Sequence, residues 1–248
     1  MKIKISVLCC AVLLLCILFF LVTAFSGPPQ KTKSAPPEVL GAGSVPSKIT
    51  EQSFFCDYHP DSYTAQDEFS KKLIAKTGTL TYYCQLDPRW ANFLCGGQDP
   101  LSRYGCGPTA LAMLVTSFTN TELTPPQAAS WAYANGYYIE GSGSLHSLIP
   151  KGAAAFGLKC ASMEKPTASK IKESLDKGNI LVALMGPGHF TDNGHFIIIY
   201  TYSSDTQVYI ADPKEPQNCD IPWDIDVILN ELNQNAVSGG PMWEISIA

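Results

Sequence analysis

The stretch Tyr104-Gly105-Cys106-Gly107-Pro108-Thr109-Ala110-Leu111-Ala112-Met113-Leu114-Val115-Thr116-Ser117-Phe118 decides how this chain is read. Pro108 suits the first turn of a helix, where its missing N–H leaves no bond unmade, so the pattern predicts a helix opening at Cys106. The run behind it is apolar nearly all round, and such a helix has to be buried. A cysteine at a helix N-terminus meets free N–H groups and the positive end of the dipole, which favour thiolate over thiol. Glycines on both sides keep bulk away from the sulfur. The plainer alternative is a buried structural cysteine in a loop-to-helix turn.

End signals place three more helices. Thr124 caps a helix that starts at Pro125 and ends at Asn135-Gly136; a third spans Ser144 to Phe156 and stops at Gly157; a fourth spans Thr167 to Lys177 and stops at Gly178. Thereafter the pattern turns to strands, over Ile180–Met185, His195–Tyr202, Thr206–Ala211 and Trp243–Ile247, with one more helix over Asp224–Asn233. Helices first and strands later is an α+β order, not an alternating βαβ one. No internal repeat is apparent.

A thiolate nucleophile usually works with a neighbouring histidine. Of the four, His59 lies in a polar segment and His146 in the first turn of the third helix, which leaves His189 and His195. His195 follows Asn193-Gly194 and opens Phe196-Ile197-Ile198-Ile199-Tyr200, a run apolar enough to be a buried strand. His189, in Gly186-Pro187-Gly188-His189-Phe190, reads as a loop residue at the same mouth. Asp212 ends Val208-Tyr209-Ile210-Ala211 and precedes Pro213. A hairpin turning at Ser203-Ser204-Asp205 brings Asp212 to the end where His195 stands, so Asp212 is the candidate to orient the imidazole. Asp-Pro as a simple turn is the alternative. Gln85, 21 residues before Cys106, offers a side-chain amide that could join the Cys106 N–H in an oxyanion hole. Without a CxxC or HExxH pattern, no metal and no cofactor are expected.

These residues sit in a chain of 248 with formal net charge −5 and nine cysteines. The acidic balance argues against nucleic acid as a partner. Lys2 and Lys4 precede an almost wholly apolar run from Ile5 to Phe25. Residues 1–26 are therefore expected to be a signal peptide, cleaved after Ser26, or an N-terminal membrane anchor, with the rest exported in either case. Setting them aside leaves 15 basic and 22 acidic residues, a net charge of −7. Residues 27–50, rich in Pro, Ser, Gly and Ala, read as a linker. Residues 51–78 read as a short pre-domain segment with a small helix over Asp67–Ala75, and residues 79–248 as the main domain.

Taken together, Tyr83-Cys84-Gln85-Leu86-Asp87-Pro88-Arg89-Trp90, Gly105-Cys106-Gly107-Pro108-Thr109-Ala110-Leu111-Ala112-Met113, Gly194-His195-Phe196-Ile197 and Asp212-Pro213 resemble a known group. It is the stand-alone papain-like cysteine peptidases related to the double-glycine leader peptidases, family thirty-nine of the cysteine peptidases, and the resemblance runs from about Leu80 to Ala248. It implies an α+β papain-like fold, with the helix that carries Cys106 packed on an antiparallel sheet. It also implies Cys106 as nucleophile, His195 as base, Asp212 as orienter, Gln85 as oxyanion residue, and a peptide or protein as substrate. The resemblance does not extend to the transporter and nucleotide-binding regions of the exporter peptidases, and Cys84 stands where the group usually has a small polar residue. An exported bacterial cysteine peptidase is the reading. An acyltransferase or transpeptidase using the same site, or a non-catalytic binding module, are the alternatives.

Cys9, Cys10 and Cys16 fall in the apolar segment, and Cys106 is the nucleophile candidate. Among the remaining five, export would permit a disulfide between Cys84 and Cys95, fixing the Gln85 loop, with Cys160–Cys219 the next candidate.

Overall fold

A computed structural model describes residues 69–247. The expected apolar address segment, the linker, and most of the pre-domain segment, with Cys56 and His59, lie outside the described residues. Among the described residues no helix is long and apolar enough to cross a membrane.

Strands β1 (Ser70–Ala75) and β2 (Gly78–Tyr83) form an antiparallel hairpin that crosses the boundary expected at residue 79. Where a helix is expected over Asp67–Ala75, Ser70–Ala75 is a strand, and residues 67 and 68 lie outside the described residues. Leu73 and Ala75 are buried while Lys72 and Ile74 are exposed, the two-residue alternation of a strand with one face inward. Gly78, at φ +138°, makes the turn that a side chain would strain.

A small hairpin of β3 (Leu94–Cys95) and β4 (Asp99–Pro100) leads into α1 (Leu101–Tyr104) and then α2 (Cys106–Phe118). Helix α3 (Pro125–Ala134) has Thr124 as its N-cap, with a reciprocal capping box to Gln127. Then come β5 (Tyr138–Ile139), β6 (Gly143–Ser144), α4 (Leu148–Ala155), β7 (Leu158–Ser162) and α5 (Ala168–Asp176). Helix α4 is shorter than the expected Ser144–Phe156, because Ser144 pairs with Tyr138 in a strand ladder.

The last part supplies β8 (Ile180–Met185), β9 (His195–Tyr202), β10 (Gln207–Ala211), a 3-10 turn (Pro216–Cys219), β11 (Trp223–Asp224), α6 (Ile225–Asn230) and β12 (Met242–Ile247). They join β7 in a six-stranded antiparallel sheet of order β11-β10-β9-β8-β12-β7. The final strand therefore lies inside the sheet, between β8 and β7. The fold is a mixed one of helices and antiparallel sheet.

Both sheet faces are covered. Ile180, Val182, Leu184, Phe196 and Ile198 share one apolar cluster with α2, whereas Leu181, Ala183, Ile197 and Ile199 share another with Ile171, Leu175, Ile225 and Ile228. A strand buried on both faces needs no polar alternation, which explains the unbroken apolar runs of β8 and β9. Helix α2 contacts both β2 and β9 and buries every residue from Gly107 to Val115. Each large aliphatic side chain so buried contributes on the order of 2 kcal/mol.

The five described cysteines are all free thiols, so neither expected disulfide forms. Cys160 lies on edge strand β7, while Cys219 packs beside β10, with three strands between them. Cys84 donates to the Lys214 carbonyl at 3.6 Å and Cys95 faces Tyr138, so those two thiols have different neighbours.

Candidate active site

Cys106 stands at the first position of α2, half-buried at the floor of a cleft. The flanking glycines also serve the packing around them. They let elements approach: a Cβ on Gly105 would lie 2.4 Å from the Leu101 carbonyl, and one on Gly107 2.5 Å from Ser144 Oγ. Burial alone would raise the thiol pKa. The hydrogen bond and charge of His195 outweigh it, the backbone N–H groups of Phe196 and Gly107 add to them, and the net direction is down.

His195 opens β9 and is almost fully buried. Its Nε2 lies 2.6 Å from Asp212 Oδ1, which leaves Nδ1 as the nitrogen for the Cys106 sulfur. Burial would lower its pKa, but hydrogen bonds and charge from Asp212 and Cys106 raise it to about 10. The two shifts describe one coupled pair, favouring thiolate and imidazolium together.

Asp212 directly follows β10. The β9–β10 hairpin turns as expected, with one irregularity: its pairs run Tyr209 to Thr201 and then Ile210 to Ile199, so Tyr200 is an extra residue at a bulge. That shift brings the continuation of β10 one residue nearer His195. The Asp212 carboxylate is fully buried and held below its ordinary pKa; burial opposes this, and His195, the Lys214 N–H and the Asn218 amide outweigh it. Tyr82 Oη donates to the Asp212 carbonyl at 2.7 Å, and the Gln85 N–H to the Pro213 carbonyl at 2.6 Å. The end of β2 is thereby tied to the residues after β10.

Gln85 is buried and lines the cleft with Cys106 and His195. Its Nε2 donates one hydrogen to the Ser102 carbonyl at 2.7 Å, leaving the second, while Oε1 has no hydrogen-bond partner. The loop is stiffened by Asp87, which accepts from Arg89 through both carboxylate oxygens, and by the Trp90 indole donating to the Cys84 carbonyl at 2.7 Å. All four residues picked from the sequence thus converge on one place.

The cleft has a volume of about 790 Å³, within the range of ligand-binding clefts. Gly141 and Ser142 form one wall and Gly188 to Gly194 another, and the latter includes His189 as expected. Glu231 holds that second wall: its carboxylate accepts from the His189 N–H at 2.8 Å and contacts His189 Nδ1. His146 instead accepts from the Val237 N–H at 3.1 Å, outside this cleft. Sequence reasoning missed Asn218, whose Nδ2 donates to Asp212 Oδ2 at 2.8 Å; Pro216 at the start of the 3-10 turn was the available signal. Among the described residues no cluster of three His, Cys, Asp or Glu side chains could hold a metal ion.

A family model described as the Peptidase_C39 like family matches residues 79–235. A solved structure from Bacillus anthracis, named as a C39-like peptidase, is similar over 58% of this chain and 90% of its own, at 14% identity and a TM-score of 0.42. No curated protein sequence matches. The matched stretch takes in Gln85, Cys106, His195 and Asp212 and more than half of the chain, and the chain belongs to the Peptidase_C39 like family.

Proposed function

We propose that this is an exported, papain-like cysteine peptidase in which Cys106 is the nucleophile, His195 the general base and acid, and Asp212 the group that orients the imidazole. The observation that carries the reading is the buried line of contacts from Cys106 through His195 to Asp212, opening on one cleft. The thiolate attacks a peptide carbonyl carbon, forming a C–S bond as the carbonyl π pair moves onto oxygen. The free Gln85 amide hydrogen and the Cys106 N–H stabilise that oxyanion. His195 gives its proton to the leaving amine as the C–N bond breaks. A water then attacks the thioester, with His195 taking its proton, and the thiolate returns.

The apolar run Ile5–Phe25 behind Lys2 and Lys4 supports export, as a cleaved signal or an anchor. Digestion of a peptide library, read by mass spectrometry, tests the function. Wild-type protein should yield cleavage products, and Cys106→Ala and His195→Ala should yield none while keeping the wild-type circular dichroism spectrum. Undiminished cleavage by Cys106→Ala would refute the proposal.

A further inference from the structure

Asp212 has no exposed surface, so its charge has to be met by groups inside the protein. Oδ1 accepts from His195 Nε2 at 2.6 Å and from the N–H groups of Lys214 and Glu215 at 2.9 and 3.2 Å. Oδ2 accepts from the Asn218 side-chain amide at 2.8 Å. The two oxygens are therefore held differently. Backbone donors grip Oδ1, but the plane of the carboxylate about the Cβ–Cγ bond is set by what holds Oδ2.

Asn218 is itself well anchored. It sits in the 3-10 turn whose Pro216 and Cys219 are buried, and its carbonyl accepts from the Trp223 indole at 3.0 Å. Its N–H donates to the Glu215 carbonyl at 3.0 Å, and the neighbouring Cys219 sulfur accepts from the Asp212 N–H at 3.4 Å. The turn thus holds Asp212 by its backbone and its side chain together.

We propose that Asn218 is a positioning residue for the reaction, its amide fixing Asp212 Oδ2 so that Oδ1 stays aimed, ionised, at His195. The proposal rests on the Cys106–His195–Asp212 reading above. A neutral donor suits the position. It satisfies the second oxygen without cancelling the charge that favours the imidazolium, as a lysine or arginine would.

The other groups facing Asp212 do not titrate in the range where this matters. Besides His195 they are Tyr82 from β2, Cys84 just after it and Cys219 from the 3-10 turn, and all three are pushed up by burial, Cys84 to about 11 and Cys219 to about 12. The Lys214 and Glu215 side chains lie half-exposed and face each other at 4.0 Å.

The test is iodoacetamide alkylation of Cys106 in the full-length protein across the pH range, followed by peptide mass mapping. Loss of one hydrogen bond to a carboxylate should move the acid limb of the rate up by about one pH unit in Asn218→Ala. Asn218→Asp, of the same size, should move it the same way, because two adjacent carboxylates share a proton; it carries the test if the alanine variant does not fold. Folded variants with the wild-type acid limb, whatever their melting temperatures, would overturn the proposal and leave Asn218 a structural residue. Wild-type Cys106 reacting no faster than Cys160 at neutral pH would instead overturn the Cys106–His195 reading itself, and the proposal with it.

Discussion

Cys106 and Cys160 are both half-buried thiols, yet burial raises Cys160 to about 11 while Cys106 is lowered despite its burial. The difference is the neighbour: a buried imidazole that is itself held by a carboxylate lowers the pKa of the sulfur beside it. Gln85 belongs to the same scale. Because one of its amide hydrogens is engaged by the Ser102 carbonyl, only the other can serve the proposed oxyanion hole. Gln85→Ala should lower kcat by about 10²- to 10³-fold with little change in KM, and a rise in KM with kcat unchanged would place Gln85 in substrate binding. Cys106, His195 and Asp212 were legible because each stands at an element boundary marked by glycine or proline. Asn218 was not, since its role depends on a one-turn helix and on a partner it meets only after folding. The free state of Cys84, Cys95, Cys160 and Cys219 was illegible for the same reason: separation along the chain says nothing of which face each thiol takes.

At the scale of elements, capped helices were the most readable parts. Thr124 with Gln127, and Thr167 accepting from the Lys170 N–H at 3.3 Å, start α3 and α5 where the sequence places them. Strand β1 was misread because two lysines and one exposed isoleucine mask a short alternation. Strand β7 was overlooked; Leu158-Lys159-Cys160-Ala161-Ser162 has little apolar signal of its own and owes its place to β12, which pairs Ile245 with Cys160. The start of α2 carries the sharpest element-level prediction. A methyl on Gly107 would meet both the Cβ and Oγ of Ser144, at 2.8 and 2.5 Å. Gly107→Ala should destabilise by about 1–3 kcal/mol in urea unfolding. Adding Ser144→Gly should restore part of the loss, since the two sites share one contact. Strict additivity of the two substitutions would show that the close approach is not what Gly107 provides.

For the whole molecule, the buried charges make stability depend on pH in a definite direction. Asp212, lowered from 3.8, contributes stability that is present above that value and lost as pH falls through its folded value. His195, raised from 6.5 to about 10, contributes stability that is full below 6.5 and lost as pH rises through about 10. Cys106, lowered from 9.0, gains stability as pH rises from its folded value to 9.0 and so works against the His195 loss there, which leaves a plateau above the Asp212 titration. Urea midpoints measured across pH should fall on the acid side of that plateau, and Asp212→Asn should flatten the fall. An acid arm unchanged by Asp212→Asn would locate the pH sensitivity elsewhere.

In the proposed mechanism His195 holds Cys106 as a thiolate, and selective alkylation reads that state out. With limiting iodoacetamide at about pH 6, where an ordinary thiol is almost wholly protonated, peptide mapping should find label on Cys106 well before Cys84, Cys95, Cys160 or Cys219. His195→Ala should abolish that preference. Equal labelling of Cys106 and Cys160, the other half-buried thiol among the described residues, would contradict a thiolate held at Cys106.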